Sequence, residues 1–305
     1  MMRAFFIWLS ESRWLRAIAE RSRIGGRMSR RFVAGMSVED ALEATSAVNA
    51  LGMTVSVDNL GENVTNVEEA RHSSKLYHQM IDEITSRRLD ANVSLKLTHM
   101  GLDVDEALAR DITAELVSHA ARLGSFVRVD MEGSPYTEKT LALVRELHSV
   151  PGNRGAVGAV IQSYLHRSEK DVRELCAEGI RIRLCKGAYK EPPEIAYQAK
   201  ADVDANYVKL MKIMLTSGVY HGIATHDPAM IDATKAFAKE SGIDPQSFEF
   251  QMLYGIRRDL QQQLVREGWR MRVYIPFGTE WYPYLMRRLA ERPANVLFIL
   301  KNLFR

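Results

Sequence analysis

The sequence predicts an α/β fold, a (βα)8 barrel over residues 51–305 behind an N-terminal helical arm over 1–50. Three observations predict it. Eight short runs rich in β-branched residues recur along the chain. A helical pattern follows each, and strict alternation of strand and helix calls for a parallel sheet with helices outside it. No GxGxxG turn follows the first run, which disfavours a doubly wound dinucleotide-binding sheet.

The runs come in order. MTVSVDN starts at 53, VSLKLTH at 93, FVRVDME at 126 and VGAVIQS at 157. RIRLCKG starts at 181, VYHGIATHD at 219, FEFQMLYG at 248 and MRVYIPFG at 271. Helical patterns between them include 103–123, 168–179, 193–217 and 256–267. No low-complexity segment or linker divides the chain.

Composition narrows the function classes. With 305 residues, 46% hydrophobic and 26% charged, the chain has ample core. A formal charge of +3 is too balanced for a nucleic-acid binder, and no basic stretch interleaves with aromatics beyond the arm. Cys176 and Cys185 lack CxxC spacing and read as free thiols of a reducing compartment. No apolar run reaches the ~18 residues of a membrane-spanning helix. The arginine-rich N-terminus reads as a basic amphipathic helix that packs on the body or touches anionic lipid. The short apolar tail NVLFILKNLF carries the same two readings.

A barrel of this kind places its active site at the C-terminal ends of the strands. The residues there are Lys96, Asp130 with Met131, Gln162, Arg183 with Lys186, Thr225 with His226, Glu249 with Tyr254, and the Gly278 turn. The balance is positive, which suits an anionic substrate or cofactor. Lys96 reads as a carboxylate clamp or Schiff-base nucleophile, or more plainly as the ion-pair partner of Asp130. In RLCKGAYKEP, glycine admits close backbone approach to a ligand; the plainer reading is a βα turn with the prolines at 192–193 starting the next helix. His226 and Asp227 are adjacent and point to opposite faces, so Asp227 before Pro228 reads as a helix cap and no metal site is expected. Tyr254 and Tyr274 read as half-buried aromatics with wet hydroxyls. In WYPYLMRRLAERPAN, Tyr284, Arg287, Arg288 and Glu291 share one helical face. Two guanidiniums held by a glutamate suit a carboxylate or phosphate, whereas the plainer reading is a solvated charged face.

SLKLTHMGL, VRVDMEGS, QSYLHRS, RLCKGAYKEP, ATHDP, FEFQMLYGIR and YLMRRLAERPAN occur in this order, and together they closely resemble the flavin-dependent proline dehydrogenase family from about residue 50 to 296. The chain looks like its short, monofunctional bacterial type, without a fused aldehyde dehydrogenase module. The resemblance implies a distorted (βα)8, TIM-like barrel. It also implies that Arg287, Arg288 and Lys96 grip the proline carboxylate while Glu291 orients the arginines. Tyr284 would pack on the proline ring, Tyr254 and Leu253 would complete the pocket, and Tyr189 would lie close by. Asp130 would fix the Lys96–arginine network, and Arg183 would lie beside the flavin. FAD contacts would come from Met131, Gln162, Lys186, Gly187, Ala188, Thr225 and His226. The implied reaction converts L-proline to 1-pyrroline-5-carboxylate, with electrons passing to a membrane quinone and a separate 1-pyrroline-5-carboxylate dehydrogenase as possible partner. The implied place is cytoplasmic, peripheral on the inner face of the membrane.

Chemistry supports these roles, because oxidising a C–N bond requires a hydride acceptor that no side chain provides. An arginine near flavin N1 and O2 would stabilise the negative charge of the reduced ring. No dedicated base stands out, and solvent can take the amine proton. A class I aldolase-like lyase forming a Schiff base at Lys96 or Lys186 is the alternative enzyme.

Overall fold

The structure, a computed structural model, describes residues 31–61 and 63–291, and in the last helix only the backbone beyond Met286. The basic N-terminal segment and the apolar tail read from the sequence lie outside the described residues, as do the side chains of Arg287, Arg288 and Glu291.

All eight predicted runs form strands: β1 (Thr54–Asn59), β2 (Ala91–Leu95), β3 (Val127–Val129), β4 (Val157–Gln162), β5 (Arg181–Cys185), β6 (His221–Ala224), β7 (Phe248–Leu253) and β8 (Met271–Phe277). They close in sequence order into one barrel, with β1 paired in parallel to β8 from Thr54↔Arg272 to Asn59↔Phe277. Helices precede, separate and follow them: α1 (Val38–Asn49), α2 (Val67–Ser86), α3 (Glu106–Arg122), α4 (Ser134–Ser149), α5 (Ser168–Ala177), α6 (Lys200–Leu215), α7 (Pro228–Glu240), α8 (Arg258–Arg266) and α9 (Trp281–Glu291). The main core joins the outward strand residues, such as Val55, Val57, Val93, Leu95 and Ile182, to the helix faces that cover them.

Local signals set the helix starts. Ser37 and Asp40 form a capping box at α1, with the Ser37 hydroxyl accepting from Asp40 N at 3.1 Å. Asp105 accepts from Ala107 N at 2.8 Å ahead of α3. Asp227 accepts from Ala229 N at 3.1 Å and Pro228 opens α7, as the sequence indicates. Helix α1 packs on both β8 and β1 and fills that slot in the outer ring.

One boundary differs clearly from the prediction. The prolines at 192–193 do not start a helix, and α6 begins only at Lys200. The intervening backbone is committed elsewhere: His166 N donates to Ile195 O, Tyr197 N donates to Tyr164 O, and Leu165 bridges Ala196. These bonds tie the segment to the β4–α5 connection, and its peptide groups are spent before a helix can use them.

The barrel interior is polar. Arg128 donates to the carbonyls of Ala159 (2.9 Å) and Arg181 (2.6 Å) and lies over the Phe126 ring. Gly158 makes room for it, since a Cβ there would stand 2.6 Å from the Arg128 guanidinium. Glu249, assigned from sequence to the pocket, sits instead near the N-terminal end of β7. There it pairs with Arg272 at 2.6 Å. It is the second residue of its strand, and interior position alone does not bring a side chain to the open end.

Candidate active site

Arg183 is the hub of the upper barrel. From mid-β5 its Nε donates to Gln251 Oε1 at 2.5 Å, and Nη1 donates to Asp130 Oδ1 at 2.6 Å and Ser94 Oγ at 3.0 Å. Nη2 donates to Ser56 Oγ at 3.2 Å, and the guanidinium lies over the Tyr274 ring, 5.1 Å from its centroid. Four strands other than its own therefore hold it: β1, β2, β7 and β8, with Asp130 just beyond β3. Asp130 is saturated in turn, since its Oδ2 accepts from the Tyr274 hydroxyl at 2.8 Å.

That saturation corrects two expectations. The ion pair of Lys96 is with Asp58 at the end of β1, at 3.5 Å, and not with Asp130. The Tyr274 hydroxyl is bonded to a carboxylate where a wet position was expected, and burial pushes its pKa well up. Asp58 is almost wholly buried, and its Oδ1 accepts from the Tyr77 hydroxyl at 3.3 Å. Burial raises its pKa; Lys96 pulls it back and Asp130 adds to the rise.

A second group of predicted residues gathers at the ends of β4, β5 and β6. Lys186 bonds Asp204 and, at 2.7 Å, Asp227; Lys200 joins the same two carboxylates. Gly187 has φ +116°, and a Cβ there would meet the Tyr164 ring at 2.4 Å, so the turn carrying Lys186, Gly187 and Ala188 needs glycine at its centre. Gln162 Nε2 donates to Glu132 O at 2.9 Å, and its side-chain Oε1 has no protein donor among the described residues. Met131, one residue after Asp130, is buried. Thr225 caps the β6 turn by accepting from Asp227 N at 3.1 Å. His226 Nε2 accepts from Leu253 N at 2.9 Å, which ties the end of β6 to that of β7 and leaves the ring proton on Nδ1. Glu191 holds the long loop down by accepting from Ser134 N (2.7 Å) and Ser134 Oγ (2.6 Å).

On the remaining side, Tyr254 donates its backbone N–H to Tyr274 O at 2.9 Å, and Arg258 lies over its ring. Gly278, φ +116°, turns the chain from β8 toward α9, with its N–H on Gly35 O at 2.9 Å. Tyr284 is buried on α9, and Arg287, Arg288 and Glu291 continue the same helix. Both cysteines are free and half-buried. Among the described residues no group of three or more His, Cys, Asp or Glu could hold a metal ion, and His166 is spent on Pro193 O at 2.9 Å.

A family model for proline dehydrogenase matches residues 41–301. Proline dehydrogenase 2 of Bacillus subtilis is 41% identical over 302 residues, covering 99% of this chain and 98% of that protein. The chain belongs to the proline dehydrogenase family. The proline dehydrogenase of Deinococcus radiodurans is 40% identical over 283 residues, 91% of this chain and 90% of that one. A crystal structure of proline utilization A from Bdellovibrio bacteriovorus, inactivated by N-propargylglycine, matches with TM-score 0.82 and 28% identity. It covers 87% of this chain and 32% of that longer one, about a third of its length. The activity is thus proline oxidation, and the Schiff-base lyase is set aside.

Proline dehydrogenase membership does not by itself point to every residue of the site. Reading strand ends missed Asp58, Ser56, Ser94 and Gln251, which the barrel joins to Lys96 and Arg183. A signal existed. Polar residues recur at every second position, Ser56 and Asp58, Ser94 and Lys96, Glu249 and Gln251, which is the inward face of a strand.

Proposed function

We propose that this pocket binds FAD and L-proline and yields 1-pyrroline-5-carboxylate. The observation that carries the reading is Arg183: a buried guanidinium with four of its five N–H donors on fixed acceptors, beside a polar ring that holds Lys96 and Asp58. The residues present fit the cofactor. Lys186 keeps a third N–H donor, beyond those on Asp204 and Asp227, for a pyrophosphate, the Gly187 turn admits close backbone approach, and the Gln162 side-chain oxygen offers an acceptor. Met131, Ala188, Thr225 and His226 line the same strand ends. Bound FAD would supply the hydride acceptor that side chains lack.

The chain's own groups bind and orient. Lys96, steadied by Asp58, and the forked guanidiniums of Arg287 and Arg288 hold the carboxylate, with Glu291 aligning the arginines. Tyr284, Tyr254 and Leu253 enclose the ring, with Tyr189 at the rim. Asp130 holds Arg183 in place, and the amine proton leaves to solvent. Electrons pass on to a membrane quinone, and a separate dehydrogenase would take the product. Contact with the inner face would be peripheral; no helix among the described residues is long and apolar enough to cross a membrane.

The test is an absorbance spectrum of purified protein before and after anaerobic proline. Bands near about 450 nm that bleach with proline support cofactor and substrate together. A colourless protein that FAD cannot reconstitute would falsify the reading.

A further inference from the structure

The bonds behind Arg183 run away from the pocket, down the barrel axis. Gln251 accepts from Arg183 Nε through its amide oxygen, and its amide nitrogen donates to Glu249 Oε1 at 2.6 Å. Glu249 is anchored as well. Arg272 Nε donates to the same oxygen at 2.6 Å, and the Tyr220 hydroxyl donates to Oε2 at 2.8 Å. Arg272 is itself fixed by Val55 O at 2.6 Å and Asn92 Oδ1 at 2.8 Å. Gln251 and Glu249 are 4% and 2% exposed, so no water competes for these bonds.

The chemistry of the two ends dictates how the amide lies. An arginine N–H only donates and an ionised carboxylate only accepts, so a flipped Gln251 would face repulsion at both ends. Burial works against the charge on Glu249, but Arg272, Tyr220 and Gln251 more than offset it and hold its pKa low. Space is reserved for the amide: a Cβ on Gly222 of β6 would stand 2.3 Å from Gln251 Nε2. A neutral amide at this point fixes Nε without adding a second carboxylate to the one, Asp130, that already pairs with the guanidinium at 2.6 Å.

We propose that Gln251 is a positioning residue for the oxidation, acting through Arg183. Locked by Glu249 and Arg272, it takes the Nε donor, and with Asp130, Ser94 and Ser56 it leaves one guanidinium hydrogen for the cofactor side. This rests on the placement of Arg183 beside the flavin. A cation held there favours the more negative, reduced side of the couple, so the cost of losing Gln251 falls on the potential and on turnover more than on proline binding.

The experiment is the two-electron midpoint potential of the bound flavin, with kcat and KM, in holoenzyme carrying Gln251→Met. That side chain keeps the length and drops both amide bonds. The reduction equilibrium is expected to fall about tenfold, about 30 mV for a two-electron couple. Turnover falls about tenfold with KM for proline within about twofold and FAD content retained. If Gln251→Met does not fold, Gln251→Asn, which withdraws the amide by one methylene, carries the same expectation. An unchanged potential and kcat in either FAD-loaded variant overturns the proposal, whatever happens to thermal stability. A wild-type protein without flavin, or with flavin that proline does not bleach, overturns instead the function on which the proposal rests.

Discussion

Charge and fork contribute separately at the arginine pair. Lysine keeps the charge but cannot make two parallel bonds to a carboxylate, and a charge-assisted hydrogen bond contributes about 1.5–3 kcal/mol. Arg287→Lys and Arg288→Lys should therefore each raise the proline KM by about tenfold or more, with FAD still bound. Steady-state kinetics and the flavin absorbance check this together; FAD loss with unchanged KM in the residual holoenzyme would count against the clamp. Asp58 is a quieter member of the same site. It holds the Lys96 ammonium at 3.5 Å, so Asp58→Asn should raise KM about threefold to tenfold while flavin content stays the same. A KM unmoved by that change would leave Asp58 with a structural role only. Lys96 and Asp130 were legible as polar strand ends. Their actual partners were not, because these are decided by which groups on other strands reach them across the barrel, a carboxylate for Lys96 and a guanidinium and a hydroxyl for Asp130.

Elements were legible where periodicity was strong. All eight strands lie within or beside their predicted runs, since β-branched runs between turn residues have few other ways to bury themselves. The late start of α6 was not, because bonds from Tyr164, His166 and Leu165 claim residues 195–197 from a distance in sequence. Glycines inside strands are a further element-level feature. At Gly158 a Cβ would lie 2.4 Å from the Arg181 carbonyl oxygen, a backbone atom that cannot step aside. Gly158→Ala should cost about 1–3 kcal/mol of stability, read from the urea midpoint. Gly222→Ala meets the far end of a side chain instead, so the fold should tolerate it while activity falls as the Gln251 amide is displaced. Equal urea midpoints for wild type and Gly158→Ala would contradict the first expectation.

Buried histidines give the whole molecule a pH dependence; His99 and His221 carry the largest shifts among them, and burial lowers His78 and His148 in the same direction. Burial, aided by Lys96, lowers the pKa of His99 to about 3. Burial, aided by Arg128 and Arg181, lowers that of His221 to about 3. Both groups titrate near 6.5 when unfolded, so below that pH the unfolded chain binds more protons than the folded one. Their contribution is whole above pH 6.5 and is lost progressively as pH falls toward 3. From pH 7 to pH 5 the loss is about 2 kcal/mol for each group. Urea unfolding at the two pH values measures it. His221→Gln, although less stable at pH 7, should lose about 2 kcal/mol less than wild type on acidification, and an undiminished loss would show that His221 does not contribute.

The sequence by itself determined the barrel, the order of its strands, the free thiols and the family. These follow from local periodicity and from motifs that keep their residues together in the chain. The tertiary structure decided which charges meet: Lys96 with Asp58, Asp130 with Arg183 and Tyr274, and Glu249 with Arg272 below the pocket. Closing the barrel brings Ser56, Ser94, Asp130 and Gln251 to one guanidinium from four strands or strand ends. Such pairings depend on strand register, tilt and the depth of each side chain along the barrel axis, none of which is encoded in the spacing of residues along a single run.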